Sequence, residues 1–158
     1  PGITREEITA IRARYGEYFF SKVTTPGEVF AGMDKVLMDL RASGVGCAVA
    51  TGKSRRGLAG ALVSSGLGSH FDLTRCADET RSKPDPLMLA EIIDFYGIRP
   101  DEAVMIGDTI YDLEMAQRFG MPAIGVEWGV HDEQALSRYS PLATVNTVDL
   151  LRAQLGID

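Results

Sequence analysis

A doubly wound α/β fold with a parallel sheet is what this sequence predicts, and three observations predict it. Short runs of small and apolar residues end in polar or glycine-bearing turns, as in Val45–Ala50 and Ala103–Ile106. Segments with helical spacing of apolar residues alternate with those runs. Glycines punctuate the helical segments at Gly44, Gly66, Gly97 and Gly120. Strand, turn, helix repeated in this way is the βαβ pattern, and it places ligands beyond the carboxyl ends of the strands.

The elements follow in order. Ile3, Ile8, Ile11, Tyr15 and Phe19 recur at helical spacing, so 4–22 reads as an amphipathic helix. Thr24-Thr25-Pro26-Gly27 reads as a break and a domain boundary. Met33 to Ser43 is a helix with Val36, Leu37 and Leu40 on one face. Val45–Ala50 has the character of a strand buried on both faces. A polar turn and a helix to about Ser65 follow, then a strand over Phe71–Cys76. Pro84 and Pro86 open a helix to Tyr96. Ala103–Ile106 is a second buried strand, with a helix after it to Phe119. Pro122–Val126 is a further strand, and Thr144–Val145 with Val148–Leu155 closes the chain as strand and helix.

Composition narrows the function classes. A chain of 158 residues fits one domain with a small appendage. Its 45% hydrophobic and 24% charged content is that of an ordinary globular chain, which excludes a disordered tail or a disulfide scaffold. No apolar run reaches the length of about 18 residues that a membrane span needs. Pro1 to Tyr15 mixes acids with bases, unlike a signal peptide. The net charge of −6 repels nucleic acid and anionic lipid. Only Lys53, Arg55 and Arg56 cluster, enough for a small anion but not for a duplex. Cys47 and Cys76 are not spaced as a C-x-x-C pair, so two reduced thiols and a cytoplasmic location are expected, with Cys47 facing a core.

Three turns carry chemistry. In Ala50-Thr51-Gly52-Lys53-Ser54 a hydroxyl ends a strand and a helix start follows. Thr51 and the Gly52 N–H can grip a tetrahedral oxyanion, although Thr51 or Ser54 can equally serve as a helix cap. In Gly107-Asp108-Thr109-Ile110-Tyr111-Asp112 two carboxylates stand four residues apart. They can share a hard cation such as Mg²⁺, or simply favour a helix N-terminus. In Ser82-Lys83-Pro84-Asp85-Pro86 a lysine precedes a proline-opened helix. Its ammonium can neutralise a phosphate, or it can be surface decoration.

The order strand-Thr-Gly, Lys-Pro, strand-Gly-Asp-x-x-x-Asp resembles the haloacid dehalogenase-like (HAD) superfamily, in its phosphoglycolate phosphatase-like branch. The likeness runs from about Val29 to Leu155. It includes Phe30-Ala31-Gly32-Met33 before the second motif and Gly120-Met121-Pro122-Ala123-Ile124-Gly125-Val126 with Trp128-Gly129 after the fourth. The resemblance implies a Rossmann-like core over 27–158, a remnant of a helical cap over 1–26, and a Mg²⁺-dependent phosphatase acting on a small phosphorylated metabolite. Thr51, Gly52 and Lys83 would bind phosphate, with Thr51, Lys83 and Asp108 as catalytic residues. Asp108 and Asp112 would serve the metal, Asp112 also orienting Lys83 or a metal-bound water, and Lys53 could touch substrate.

One part of the family pattern is missing. The superfamily's first motif is an Asp-x-Asp pair at the end of its first strand, and no such pair follows a buried strand here. Asp72, Asp78-Glu79, Asp101-Glu102 and Asp132-Glu133 all lie in turn or loop contexts. The resemblance puts the missing strand between the strand ending at Thr51 and the one ending at Asp108. Pro1 stands where an initiating methionine would, so the nucleophile that would form the aspartyl-phosphate is expected upstream, and the 158 residues alone are expected to be inactive. The alternative is a non-catalytic module that binds phosphate or a partner without a nucleophile.

Overall fold

The computed structural model describes residues 29–157. The helix expected over 4–22 and the boundary at 21–27 lie outside the described residues. Helix α1 spans Met33–Ala42, β1 Ala48–Thr51, α2 Arg55–Ser65, β2 Leu73–Cys76, α3 Leu87–Tyr96 and β3 Met105–Gly107. Helix α4 spans Ile110–Phe119, β4 Ala123–Val126, α5 Glu133–Leu136, β5 Ala143–Val145 and α6 Val148–Leu155. The alternation expected from the sequence is present, and every strand pairing is parallel.

Among the described residues the strands form two sheets rather than one. β1 pairs with β2, and β3, β4 and β5 form a separate ladder in that order. Register runs from Ala48 opposite Leu73 to Thr51 opposite Cys76 in the first sheet. In the second, Met105 faces Ala123 and Ile124 faces Ala143. β1 and β3 are thus edge strands, and they correct the expectation of two fully buried strands. All four β1 residues are only half-buried, as are Met105 and Ile106. β4, flanked on both sides, is buried throughout.

Side chains on β4 alternate between two layers, as a pleated strand requires. Ala123 faces the cluster built by Met88, Leu89 and Ile93 of α3, Leu113, Met115 and Ala116 of α4, and Leu136 of α5. Ile124 and Val126 face Val145 and Leu151, with Met33 and Leu155 alongside. A third cluster joins Val36 and Leu40 of α1 to Cys47. Helices therefore cover both faces, and α3 packs on β1 and β2 while touching α4. The first cluster, which Ala50 and Ala77 also meet, bridges the two sheets.

Boundaries moved by a few residues for local reasons. The first strand starts at Ala48, not Val45. Val45 donates its N–H to the Leu40 carbonyl, so the chain is still completing the end of α1 there. Phe71 falls outside β2 because a 3₁₀ turn over Gly68–His70 delivers it. Helix α3 starts at Leu87 because Pro84-Asp85-Pro86 makes a turn, in which Asp85 accepts from the Leu87 N–H at 3.0 Å. The short helix α5 was not expected. Asp132 caps it by accepting from the Ala135 N–H. Both cysteines are free and buried, and Cys47 does lie in a core.

Candidate active site

The second turn of interest starts from a strand that ends in glycine. A Cβ on Gly107 would stand 2.3 Å from the Asp112 Cβ, so only glycine lets α4 set Asp112 against the strand. Thr109 caps that helix: its Oγ1 accepts from the Asp112 N–H at 3.3 Å, and its own N–H donates to Asp112 Oδ2 at 3.1 Å. The Thr109 hydroxyl donates to the same Oδ2 at 2.8 Å. These bonds hold Asp112 in a buried position, 4% exposed. Its other oxygen, Oδ1, receives the ammonium of Lys83 in a close ion pair. The Lys83 side chain is itself mostly buried, and the Lys83–Pro84 peptide is cis.

The structure therefore brings the lysine turn onto the 107–112 turn. Charge burial on this scale needs a partner, and the two residues supply it to each other. Asp108, four residues before Asp112, directly follows the strand and is half-buried. Its Oδ2 accepts from the Val130 N–H at 3.0 Å and its carbonyl from the His131 N–H at 3.1 Å. Among the described residues Oδ1 has no partner. It is an anionic oxygen at a strand end, the donor type a hard cation selects. No group of three His, Cys, Asp or Glu side chains among the described residues is close enough to hold a metal by itself.

The first turn sits at the end of β1. Thr51 Oγ1 accepts from the Lys53 N–H at 3.1 Å, which uses a lone pair and leaves the O–H as a donor. Gly52 is exposed, with open space where a side chain would stand. The Lys53 carbonyl accepts from the Ala77 N–H, tying this turn to the one after β2. The start of α2 is occupied from within. Ser54 Oγ accepts from the Gly57 N–H at 3.2 Å, and both Asp78 oxygens accept from the Arg55 N–H. An anion at this turn would thus meet Thr51 and Gly52 rather than the first amides of the helix. Thr51 and Asp108 each keep partners of their own, apart from the Lys83–Asp112 pair.

Asp78 at the cap of α2, and Gly129 with Val130 beside Asp108, were not assigned from sequence. Asp78-Glu79 stood out only as a loop pair. Gly129 stood out only as part of Trp128-Gly129.

A doubly wound α/β core with such turns at its strand ends places the chain among Rossmann-like α/β proteins. More narrowly, the chain belongs to the haloacid dehalogenase-like hydrolase family, whose model matches residues 3–126. It is 37% identical over 145 residues to "Probable phosphatase IndB" of Dickeya dadantii, covering 90% of this chain and 63% of that protein. It is 29% identical over 130 residues to a phosphoglycolate phosphatase of Thiobacillus denitrificans, covering 82% of this chain and 56% of that one. A crystal structure of a predicted phosphatase from Clostridium acetobutylicum superposes with a TM-score of 0.84 at 28% identity, covering 94% of this chain and 70% of that one. The chain thus spans 63% and 56% of the lengths of the two curated relatives. No helix among the described residues is long and apolar enough to cross a membrane.

Proposed function

We propose that these residues form the phosphate- and Mg²⁺-binding part of a phosphatase acting on a small phosphorylated metabolite in the cytoplasm. Its aspartate nucleophile is supplied by a segment outside the 158 residues. The observation that supports this most is the meeting of Lys83 with Asp112, one helical turn from Asp108. That contact joins the two turns whose chemistry the reading needs.

Each residue then has a role. Thr51 donates its hydroxyl to a phosphate oxygen, and Gly52 lets the backbone approach the same group. Lys83 neutralises charge on the transferring oxygens, where a preorganised ammonium is most effective. Asp112 orients Lys83. Both its oxygens are engaged by Lys83 and Thr109, which favours orientation over direct metal ligation. Asp108 offers Oδ1 to the metal. Lys53, exposed beside Thr51, is the candidate contact to the rest of the substrate. Bound Mg²⁺ would supply charge neutralisation at the phosphate. The incoming aspartate would attack phosphorus as the P–O bond to the substrate's alcohol breaks and the protonated alcohol leaves, and water would then hydrolyse the aspartyl-phosphate to inorganic phosphate and the free carboxylate.

The full-length protein should hydrolyse p-nitrophenyl phosphate with Mg²⁺ and lose most of that turnover on Asp108→Asn. Unchanged turnover in that variant would remove Asp108 from the site. The 158 residues alone should be inactive, and metal-dependent turnover by them would show that the nucleophile is within the chain. A second reading, a module that binds phosphate or a partner without turnover, is favoured by the lack of an Asp-x-Asp pair after a strand in the sequence. Phosphate binding by the full-length protein with no turnover would select it.

A further inference from the structure

We propose that the turn Ala77-Asp78-Glu79 is a positioning element for the phosphate-gripping turn Thr51-Gly52-Lys53, with Asp78 as its principal residue. The inference rests on the reading of Thr51 and Gly52 as phosphate ligands. It starts from two ties, one on each side of the helix cap Ser54. The Lys53 carbonyl accepts from the Ala77 N–H at 3.1 Å. The Arg55 N–H donates to the two Asp78 oxygens, at 2.9 and 3.2 Å. The residues before and after Ser54 are thus held by one neighbouring turn, once through its backbone and once through a side chain.

That turn is itself fixed. Cys76 at the end of β2 stands opposite Thr51 at the end of β1. Glu79 accepts from the Cys76 N–H at 3.3 Å and from the Arg55 guanidinium. The Glu79 and Thr80 N–H groups both return to the Cys76 carbonyl, at 3.1 and 3.3 Å. Three residues further on the chain reaches Lys83. One segment, Cys76 to Lys83, therefore carries the brace at one end and the ammonium at the other.

The consequence is for affinity. Within the gripping turn the Lys53 N–H bonds Thr51 Oγ1 at 3.1 Å, and Gly52 has open space where a side chain would stand. A glycine that is not held from outside spreads over many backbone conformations. The apparent affinity for a ligand falls in proportion to the fraction of molecules in the competent conformation. Asp78 raises that fraction without touching phosphate itself.

The test uses the full-length protein and reads p-nitrophenyl phosphate turnover together with calorimetric binding of inorganic phosphate. Asp78→Ala should raise KM and weaken phosphate binding by about tenfold, the loss of one hydrogen bond to a charged acceptor. kcat should change much less, because saturating substrate draws the turn back into place. Asp78→Asn keeps an acceptor oxygen and should recover most of the loss. A second pair of variants removes the bond from its other side. Arg55 is the first residue of α2 and follows an extended Ser54, a position that accepts proline and gives up its N–H without distortion. Arg55→Pro should weaken phosphate binding as Asp78→Ala does, Arg55→Ala should weaken it less, and Asp78→Ala should add nothing to Arg55→Pro. A merely structural role would lower the melting temperature and leave KM and phosphate binding of the folded protein unchanged, and that result would overturn the proposal. Should Asp78→Ala fail to fold, the Arg55 pair decides: equal phosphate binding by Arg55→Pro and Arg55→Ala would overturn it. A wild type that neither binds phosphate nor hydrolyses the ester would instead remove the phosphate reading, and the brace with it.

Discussion

The two sheets of this molecule are held by different physics. The three-stranded ladder has a central strand buried along its whole length, with apolar clusters on either face. The two-stranded ladder has half-buried strands and is fastened by charge. At its amino end Asp72 accepts from Arg41, from the Tyr96 hydroxyl and from the Cys47 N–H. At its carboxyl end Arg55 donates to both Glu79 oxygens and to Thr74 Oγ1, while Asp78 accepts from the Arg55 N–H. A parallel strand flanked on one side only cannot bury enough apolar surface, so polar fastenings take a larger share. The site lies where the two regimes meet, with Lys83 arriving from the two-stranded side and Asp112 from the three-stranded side.

That junction is the place where substitution should cost most. Asp112→Asn leaves the mostly buried Lys83 ammonium without its counter-charge, and denaturant unfolding should show a loss of about 3–5 kcal/mol. A loss below about 1 kcal/mol would mean that the halves are joined by the α3 packing alone. Ile124→Ala comes next. Ile124 is 2% exposed between two flanking strands, and its truncation should cost about 2–5 kcal/mol. Val49→Ala, on the half-buried edge strand β1, should cost only about 1 kcal/mol in the 158-residue chain. In the full-length protein the same change should become more costly if a further strand covers that edge. Equal costs for Ile124 and Val49 in the short chain would break the contrast between the halves.

The order of strands and helices was legible from the sequence, whereas the contrast between the sheets was not, for a clear cause. Periodicity and glycine stops located the repeating strands and helices, because burial and capping act over short stretches of chain. The resemblance led to the expectation of a strand missing between those ending at Thr51 and Asp108; among the described residues the strands form two separate ladders. What sequence could not show was how much each strand is buried. Val45–Ala50 has the composition of a central strand, yet burial depends on neighbours that composition does not name. The resemblance implied that Asp112 orients Lys83 or a metal-bound water, and Asp112 does pair with Lys83. The bond from Val130 to Asp108 was not foreseen, because Val130 contributes only a backbone amide, and an amide leaves no mark on residue identity. Gly129 did leave a mark, but a glycine in a loop has many uses.

The smallest effect, and the one that best isolates the polar half, is acid sensitivity at Asp72. The bond from Arg41 holds its carboxyl below the usual range, aided by the Tyr96 hydroxyl and the Cys47 N–H. The unfolded chain therefore binds this proton more readily than the folded one. The stability it contributes is present above the ordinary carboxylate range and is lost as pH falls through the lower folded value. The Tyr96 hydroxyl responds in the opposite direction: burial, then the neighbouring Asp72 carboxylate, pushes its ionisation up, so its contribution fades only in strong alkali. Asp72→Asn should lower the melting temperature slightly at neutral pH and flatten its decline below about pH 4. Because the carboxylate is exposed and screened, the same decline should shrink in high salt. Ile124→Ala should leave the shape of the acid limb unchanged while lowering the whole curve. An acid limb that Asp72→Asn leaves intact would transfer the pH dependence to Glu79, whose carboxyl is held low by Arg55, and would shift the charged fastening to the carboxyl end of the sheet, beside the site.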